Sequence, residues 1–276
     1  MRLACTAVML LWAAVGAAAD HPCQAALRAT IRLHGGGKSG TAFAVAVPAA
    51  EDRPAAVVLV SAAHTFENMQ GETATAVLRA AAGAGWERRD TPVAIRSGKT
   101  PNWVRHSKAD VAILPWAVPA GVDLEPFALE SVASAGDFDA GRVAVGQRVR
   151  VACFPAQTEA NAAGWPVLRT GSIASHPLTP AATLERLFLD YAHYGGDSGS
   201  AVVVDEPAAA GRVVGVVVAM QRQTDRVTSP FEEKTVHTPL GLAITVPSTL
   251  LRETIESWQA KPAPAAVTAS AAAAAP

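Results

Sequence analysis

The pattern of hydrophobic positions predicts a chain built from many short strands. Between about residues 27 and 219, short runs of Val, Ile, Leu and Ala alternate with clusters of Gly, Pro, Asp and Ser, which is typical of strands joined by turns. No helical pattern interrupts these runs at regular intervals, so we expect closed antiparallel barrels or a sandwich rather than a parallel sheet. The predicted strands cover residues 29–33, 40–47, 55–61, 75–81, 93–96, 111–114, 148–154, 167–175, 187–190, 200–204, 213–220 and 242–246.

The pattern changes after Pro247, where the spacing predicts an amphipathic helix over about residues 248–258. Ser248 can cap the first turn of this helix. From residue 261 to residue 276 the chain is rich in Ala and Pro and has no periodic apolar face, which favours a disordered tail. The apolar stripe of the helix consists of Leu250, Leu251, Thr254, Ile255 and Trp258.

The first nineteen residues have the pattern of a signal peptide. Arg2 precedes an apolar stretch, and Ala17 and Ala19 form the A-x-A pattern of a signal-peptidase site. We expect cleavage before Asp20 and a secreted or periplasmic protein. The alternative is a retained membrane anchor, which is disfavoured because the apolar run is short for a spanning helix and charged residues follow it directly.

The composition allows a large core and narrows the range of partners. Half of the 276 residues are hydrophobic and 17% are charged, which suffices for one domain or two tightly joined halves. The net charge of −1 provides no broad positive field, so we expect no nucleic-acid partner, and no membrane partner once the signal is removed. The histidines show no zinc-ligand spacing with Asp or Cys, and we expect no metal or organic cofactor.

Two cysteines follow the signal peptide. Cys23 and Cys153 would be the only thiols of the mature protein in an oxidising compartment, where a pair is expected to join. Two alternatives stay open, a disulfide between Cys23 and Cys153 or two unrelated thiols.

A glycine-rich turn surrounds the candidate nucleophile, Ser198. The sequence Gly195-Gly-Asp-Ser-Gly-Ser200 precedes an apolar run, and glycines on both sides of Ser198 permit a tight turn that exposes the hydroxyl. The same turn leaves the backbone N–H groups of Gly196 and Ser198 free to face an oxyanion. The alternative is an ordinary glycine-rich hairpin.

Two further positions supply the groups that a serine nucleophile needs, a base and a residue that orients the base. The apolar run over residues 57–63 leads into His64, and Asp110 stands directly before the apolar run over residues 111–114. Taken singly, such a histidine is more often structural, and such an aspartate is often a turn residue that starts a strand.

The order His64, Asp110, Ser198, each beside an apolar strand, resembles the trypsin-like family of serine proteases, in its bacterial exported type. The likeness spans about residues 28–258. It implies an all-β fold of two antiparallel six-stranded barrels, at about residues 28–122 and 142–247, with a connector near residues 123–141 and a C-terminal helix at about 248–258, all within a peptidase domain over residues 20–260. The stretches that carry the likeness are Ser39-Gly-Thr-Ala-Phe43, Ser61-Ala-Ala-His64, Ala109-Asp-Val-Ala-Ile-Leu114, Gly195-Gly-Asp-Ser-Gly-Ser200, Gly215-Val-Val-Val-Ala219 and Leu240-Gly-Leu-Ala-Ile-Thr-Val-Pro247.

The resemblance implies a serine endopeptidase whose partner is a protein or peptide substrate. Ser198 would attack the carbonyl, His64 would remove and return the proton, and Asp110 would stabilise the imidazolium. The N–H groups of Gly196 and Ser198 would form the oxyanion hole. Two alternatives are a catalytically silent peptide- or partner-binding module on the same fold and an esterase that uses the same triad.

The resemblance also assigns a primary specificity pocket. Ala192 and His193 would line it, with Val218, Ala219 and Met220 as the opposite wall. Because Ala192 offers no carboxylate, a preference for Lys or Arg is not expected. His193 would favour an acidic side chain if protonated, or would line a small apolar pocket as a hydrogen-bonded wall residue.

Asp197 matches the residue that receives a freed N-terminus in zymogen-type relatives. The predicted mature N-terminus, Asp20-His-Pro-Cys23, does not resemble an activation end. We therefore expect no proteolytic activation and another partner for Asp197.

Overall fold

The amino-terminal half folds around one antiparallel sheet. The computed structural model describes residues 22–51, 53–229 and 231–261, so the predicted signal peptide and residues 262–276 of the predicted tail lie outside the described residues. The elements of this half are α1 (Pro22–Ala29), β1 (Thr30–Gly35), β2 (Lys38–Val47), β3 (Ala56–Ser61), α2 (Ala63–Asn68), β4 (Thr73–Ala82), β5 (Gly85–Ala94), β6 (Arg96–Ser97), β7 (Thr100–Pro101), β8 (Val104–Arg105), β9 (Ala112–Trp116) and β10 (Phe127–Ala128). Across the sheet the strands follow the order β5-β4-β1-β2-β3-β9-β8, and β10 pairs in parallel with β2.

This first sheet is open, which corrects the expectation of two closed six-stranded barrels. In the described part of the chain its end strands, β5 and β8, do not pair with each other. β8 contains only two residues and offers few backbone groups for a ladder. β5 is largely exposed, carries the charged run from Glu87 to Asp90 and contains Pro92, which are features of an edge strand.

The carboxy-terminal half is a closed six-stranded antiparallel barrel followed by a helix, as the sequence predicts. The barrel strands close in the order β11-β12-β13-β16-β15-β14. No helix in the described residues is long and apolar enough to cross a bilayer. The elements of this half are α3 (Ala135–Asp139), β11 (Arg148–Cys153), β12 (Val167–Ile173), β13 (Leu187–Asp190), β14 (Ala201–Val204), β15 (Val213–Thr228), β16 (Glu233–Pro247) and α4 (Ser248–Gln259).

A continuous apolar cluster joins the two halves. Phe43 and Val60 of the first sheet meet Val203 and Val216 of the barrel in this cluster. Burying a side chain of this size contributes about 1.5–3 kcal/mol relative to leaving it in water, so the two halves stabilise each other. The helix α4 adds members of its predicted apolar stripe, namely Leu251, Ile255 and Trp258.

Two local features differ from the sequence-based expectations. Ser248 is the first helical residue of α4 and does not cap it, because its hydroxyl donates instead to the carbonyl oxygen of Ala133 at 2.8 Å. The helix α1 covers residues 22–29, where the apolar pattern indicated only the start of a strand at Ala29.

Strands β15 and β16 extend beyond the barrel as a long hairpin, called here the arm (residues 221–240). The predicted strands end at Met220 and begin at Leu242, but the pairing continues outward to Thr228 and Glu233. Nearly all side chains of the arm are exposed on both faces. Its sequence is mainly polar and charged, and exposed apolar side chains such as Val227, Phe231 and Leu240 occur singly. The arm therefore has no hydrophobic period that a sequence pattern can detect.

Candidate active site

Strand β2 carries the contacts that hold the turn around Ser198 against the first sheet. The backbone N–H of Thr41 donates to the carbonyl oxygen of Ser198 at 3.0 Å, and the Thr41 hydroxyl donates to the carbonyl oxygen of Gly196 at 2.7 Å. From the neighbouring strand β3, the Ser61 hydroxyl donates to the carbonyl oxygen of Thr41 at 2.7 Å. The serine turn is therefore fixed on the half that carries His64.

Two glycines allow this close approach. A Cβ atom on Gly199 would lie 1.9 Å from the carbonyl oxygen of Thr41, and φ is +93° at this residue. A Cβ atom on Gly40 would lie 2.6 Å from the Thr65 Cγ2 atom and 3.4 Å from the Ser198 carbonyl oxygen. Since Thr65 follows His64, Gly40 lies between the histidine turn and the serine turn.

The pairing of β3 with β9 brings His64 and Asp110 together. Ser61 is opposite Ala112 in this ladder, so the residues just beyond these strand ends are neighbours. The Nδ1 atom of His64 lies 2.6 Å from Oδ2 of Asp110, and the His64 backbone N–H donates to Oδ1 at 2.9 Å. This contact assigns the Nδ1–H tautomer to a neutral His64 and leaves Nε2 as a proton acceptor.

The same contacts determine the ionisation of Asp110. Burial raises the pKa of this carboxyl, but the hydrogen bonds from the ring and backbone of His64 outweigh burial and hold the pKa below its ordinary value. Asp110 is therefore a carboxylate near neutral pH, as an acid that stabilises an imidazolium has to be.

His106 holds the loop that carries Asp110. Its Nδ1 atom accepts hydrogen bonds from the backbone N–H groups of Lys108 at 3.2 Å and Ala109 at 2.9 Å, and its Nε2 atom lies 3.2 Å from a carboxylate oxygen of Glu253 on α4.

A cavity of about 650 Å³ opens beside Asp110 and Val218. The candidate site therefore borders a space large enough for side chains of a bound peptide.

Ser198 is beside this pair but is not hydrogen-bonded to it. Its hydroxyl donates to the carbonyl oxygen of Val218 at 3.2 Å, and its Oγ atom lies 3.5 Å from Nε2 of His193. Within the described residues no hydrogen bond joins Ser198 to His64. The structure thus brings together His64 and Asp110, and holds the Ser198 hydroxyl in a rotamer directed toward β15.

The backbone of the serine turn offers two donors. In the described part of the chain the N–H groups of Gly196 and Ser198 donate to no protein acceptor, whereas the adjacent Asp197 and Gly199 N–H groups bond to the carbonyl oxygens of Tyr194 and Val217. Paired N–H groups without an internal acceptor are what an oxyanion hole requires.

The partner of Asp197 is Arg169, a residue that the sequence analysis does not single out. An Arg169 guanidinium nitrogen lies 2.9 Å from Oδ2 of Asp197, which also accepts from the Tyr191 hydroxyl at 3.0 Å and the Tyr194 backbone N–H at 2.9 Å. The guanidinium also stacks on the rings of Tyr191 and Tyr194, 4.4 and 5.1 Å from their centroids. Arg169 and Leu168 are on opposite faces of β12, and Arg169 is on the inward face. A charged residue at an inward position of a strand is the signal that predicts a buried acidic partner.

A loop over residues 154–166 links the serine turn to the first sheet. The backbone N–H of Ala156 donates to the Gly195 carbonyl oxygen at 2.6 Å. Farther along the loop, Glu159 pairs with Arg32 at 2.7 Å and with Arg88 at 2.8 Å. The loop is thus anchored at Ala156 and at Glu159, and the first of these anchors holds the backbone that precedes Gly196.

The residues assigned to the specificity pocket divide into exposed and buried members. Ala192 is exposed, and its carbonyl oxygen accepts a hydrogen bond from Arg169 at 2.7 Å. His193 is 8% exposed and its Nδ1 atom has no partner in the described residues. Val218 is buried, whereas Ala219 and Met220 are half-buried.

Burial lowers the pKa of His193, and the nearby His64 and Arg169 lower it further against an opposing effect of Asp197. His193 is therefore neutral near pH 7. A neutral, buried imidazole offers a hydrogen bond rather than a positive charge to a bound side chain.

In the described part of the chain, Cys23 and Cys153 do not form the disulfide that the sequence analysis keeps open. Cys153 faces the barrel interior, where its Sγ atom lies 3.3 Å from the Tyr191 hydroxyl. Cys23 lies on α1 near Arg148 and Arg150, which occupy the opposite face of β11. Because side chains alternate along a strand, the two thiols are on opposite sides of the barrel wall.

No family model and no curated protein matches the chain. Solved structures that align with it include two of Rv3671c. One is Rv3671c from M. tuberculosis H37Rv as a serine-to-alanine mutant in an inactive form, with 16% identity, a TM-score of 0.48, and coverage of 89% of this chain and 94% of that chain. The other is the Rv3671c protease in an inactive form, with 16% identity, a TM-score of 0.46, and coverage of 86% and 91%.

Proposed function

We propose that this chain is a serine endopeptidase of the trypsin-like type, which hydrolyses peptide bonds through an acyl-enzyme on Ser198. The observation that carries the proposal is the 2.6 Å contact between Asp110 and His64. The pairing of β3 with β9 positions these two residues, and Thr41 on β2 holds the serine turn on the same half. The N–H groups of Gly196 and Ser198 support it, since they have no acceptor among the described residues. These groups are the base, the orienting acid and the oxyanion donors that a serine nucleophile needs.

The proposed mechanism begins with a rotation of Ser198 about χ1, which moves its hydroxyl from the Val218 carbonyl toward Nε2 of His64. His64 takes the proton while Ser198 Oγ bonds to the substrate carbonyl carbon, and the negative oxygen is stabilised by the two free N–H groups. Asp110 stabilises the resulting imidazolium. His64 then protonates the leaving amine, and water hydrolyses the acyl-enzyme by the same route.

The ion pair between Arg169 and Asp197 supports activity without proteolytic activation. Asp197 already has a cationic partner on β12 at 2.9 Å, so the serine turn needs no incoming N-terminus to order it. The proposal also includes export: residues 1–19 would be removed as a signal peptide, which N-terminal sequencing of the secreted protein checks.

A catalytically silent peptide-binding module is the second candidate, favoured by one observation. Ser198 Oγ bonds to Val218 and faces His193 rather than His64. The two candidates differ in whether the hydroxyl reacts.

The deciding experiment is labelling with a fluorophosphonate, followed by cleavage of a peptide library. We expect the wild type to be labelled and to cleave peptides, and Ser198→Ala to do neither while keeping the wild-type circular dichroism spectrum. Asp110→Asn should slow both reactions by about a thousandfold or more, because it favours the wrong tautomer of His64; the exposed Asp90→Asn is the control. A folded wild type that neither labels nor cleaves would sink the endopeptidase proposal, and cleavage of esters alone would assign an esterase.

A further inference from the structure

Strand β15 has a free edge that starts at the candidate nucleophile. Strand β15 has β14 on one side and β16 on the other. On the β14 side it is paired up to Val216, and Val217 forms backbone hydrogen bonds with Gly199 and Ser200. From Val218 to Thr228, eleven residues, β15 has a strand partner only on its other side, in β16, as far as the described residues show. The first carbonyl on the free edge, that of Val218, accepts the Ser198 hydroxyl.

The register of the arm shows which backbone groups point outward. The N–H of Ser229 bonds to the carbonyl oxygen of Glu232, which closes the hairpin with a hydrogen-bonded pair. Hydrogen-bonded and non-hydrogen-bonded pairs alternate from there, so Thr228, Thr224 and Arg222 fall in non-hydrogen-bonded pairs. The partner of Arg222 is Pro239. Because proline has no N–H to donate, its presence agrees with a non-hydrogen-bonded pair at this position. The backbone groups of these β15 residues therefore face away from β16.

The opposite edge of the hairpin does not lead to the site. On β16 the residues from Leu242 to Thr245 are already paired with β13. A chain added to the outer edge of β16 would therefore meet β13, whereas a chain added to β15 would run directly to Ser198. Only the edge of β15 leads from the arm to the candidate site, and it passes two β-bulges on the way, between Val217 and Ala219 and between Met220 and Arg222.

Resting on the proposed function, we infer that the arm extends the substrate site and binds an extended polypeptide as an added antiparallel strand on β15. β15 runs away from Ser198, so an antiparallel partner has its amino-side residues over the arm and its carboxyl end at the nucleophile. At about 3.3 Å per residue the edge spans about 33 Å. The substrate class is therefore an unfolded or extended segment with about ten residues before the scissile bond, bound mainly through backbone hydrogen bonds.

The sequence of the arm agrees with recognition through the backbone. Its exposed β15 side chains mix both signs of charge, as in Arg222, Asp225 and Arg226. They form no surface of one charge and no apolar groove that would select particular side chains.

The test compares two peptides that share one scissile sequence, chosen from the library profile of the wild type, with three or ten residues on its amino side. For the wild type we expect kcat/KM to be about tenfold higher for the longer peptide, the scale of one or two backbone hydrogen bonds. Thr224→Pro removes an outward N–H of β15 and should abolish this advantage while leaving cleavage of the short peptide within about twofold. The matched control Thr235→Pro removes an outward N–H of β16, and Thr224→Ala removes only the side chain; both should keep the advantage.

A second variant separates edge pairing from collapse of the arm. Replacing residues 224–237 by Asn-Gly deletes most of the arm and leaves the hydrogen-bonded pair of Gln223 and Thr238 to close the new turn. This deletion should reduce cleavage of the long peptide to the rate of the short one. The inference would be overturned if the ratio of kcat/KM for the long peptide to that for the short peptide were equal in all variants. It would also be overturned if Thr224→Pro and Thr235→Pro lowered this ratio equally. Both outcomes would leave the proposed function intact. A wild-type dimer in light scattering that Thr224→Pro dissociates would also overturn it, because the edge would then belong to a second copy. A wild type without any hydrolysis would remove the proposed function and this inference together.

Discussion

Arg169 donates a hydrogen bond of 2.9 Å to the carboxylate of Asp197, whose side chain is fully buried. Asp197 directly precedes Ser198, and its Oδ2 atom also accepts the Tyr194 N–H. One ion pair thus connects the barrel wall to the turn that carries the candidate nucleophile.

Arg169→Met should reduce both stability and activity. Removing one partner of a buried pair leaves an uncompensated carboxylate and costs about 3–5 kcal/mol. Because the serine turn loses this anchor, we expect fluorophosphonate labelling of Ser198 to slow by tenfold or more, roughly the scale of a 1.4 kcal/mol change. Denaturant unfolding and labelling rates measure the two effects. The exposed Arg89→Met is the control, and a wild-type labelling rate in Arg169→Met would contradict the positioning role.

Gly199→Ala should prevent the two halves from closing on each other. The new methyl group would lie 1.9 Å from the Thr41 carbonyl oxygen and 2.2 Å from the Ser61 hydroxyl. Gly146→Ala is the matched control, because φ is +85° there but no atom lies within 4 Å of the added Cβ. We expect Gly146→Ala to cost about 1–2 kcal/mol from backbone strain alone, and Gly199→Ala to cost more than about 4 kcal/mol or to give no folded protein. Similar unfolding free energies for the two variants would show that the close approach is unimportant.

Glu159→Gln should loosen the loop over residues 154–166. Glu159 bonds to two arginines, and its side chain and that of Arg32 are mostly buried. Hydrogen bonds to charged groups contribute about 1.5–3 kcal/mol each, so we expect a loss of about 2 kcal/mol in unfolding free energy and a severalfold lower kcat. Glu87→Gln removes an exposed pair with Arg89 and should change stability by less than about 1 kcal/mol. Equal effects of the two substitutions in urea unfolding would refute the anchoring role of Glu159.

The stability of the protein should fall on mild acidification because of His193. Burial holds the pKa of this group below its ordinary value of 6.5, so the unfolded chain binds a proton at a higher pH than the folded one. The folded state therefore loses relative stability as the pH drops through about 6.5, and the loss stops below the folded pKa. The groups that act on His193 are Asp197, His64 and Arg169.

The measurement for this prediction is the melting temperature between about pH 7.5 and pH 5. His193→Phe should reduce the decline that the wild type shows over this interval, and part of the remaining decline should come from His34, whose pKa burial also lowers. The exposed His176→Phe is the control for replacing an imidazole by a phenyl ring. A wild-type slope in His193→Phe would mean that other groups dominate.

The sequence predicted the positions of most strands because their side chains alternate or are continuously apolar. It also predicted that His64 follows one apolar strand and that Asp110 precedes another, since these positions can be read from where apolar runs end and begin. That the two strand ends are neighbours follows only from the pairing of β3 with β9. The arm was missed because a strand pair exposed on both faces has no hydrophobic period. The open first sheet was missed because closure depends on whether short end strands such as β8 can pair, which local sequence does not determine.

Contacts between distant residues were the hardest to predict. The sequence left the Cys23–Cys153 pairing open, because it depends on which side of the barrel wall α1 packs against, and the described residues contain no disulfide between them. Arg169 was overlooked, although a charge in phase with the inward positions of a strand is a readable signal. The rotamer of Ser198 has no sequence signal at all, since it depends on the position of the Val218 carbonyl. The roles of His64, Asp110 and Ser198 in catalysis stay predictions.

The interlocking of β2 with the serine turn has a consequence for how the protein unfolds. Thr41 and Gly199 belong to different halves. The backbone of Thr41 can bond to Ser198 and approach the serine turn only because Gly199 has no side chain. If one half unfolds, the other half loses these hydrogen bonds and its contacts in the shared apolar cluster. Calorimetry should therefore record one cooperative transition, with equal calorimetric and van 't Hoff enthalpies, and each lobe expressed alone should fail to fold.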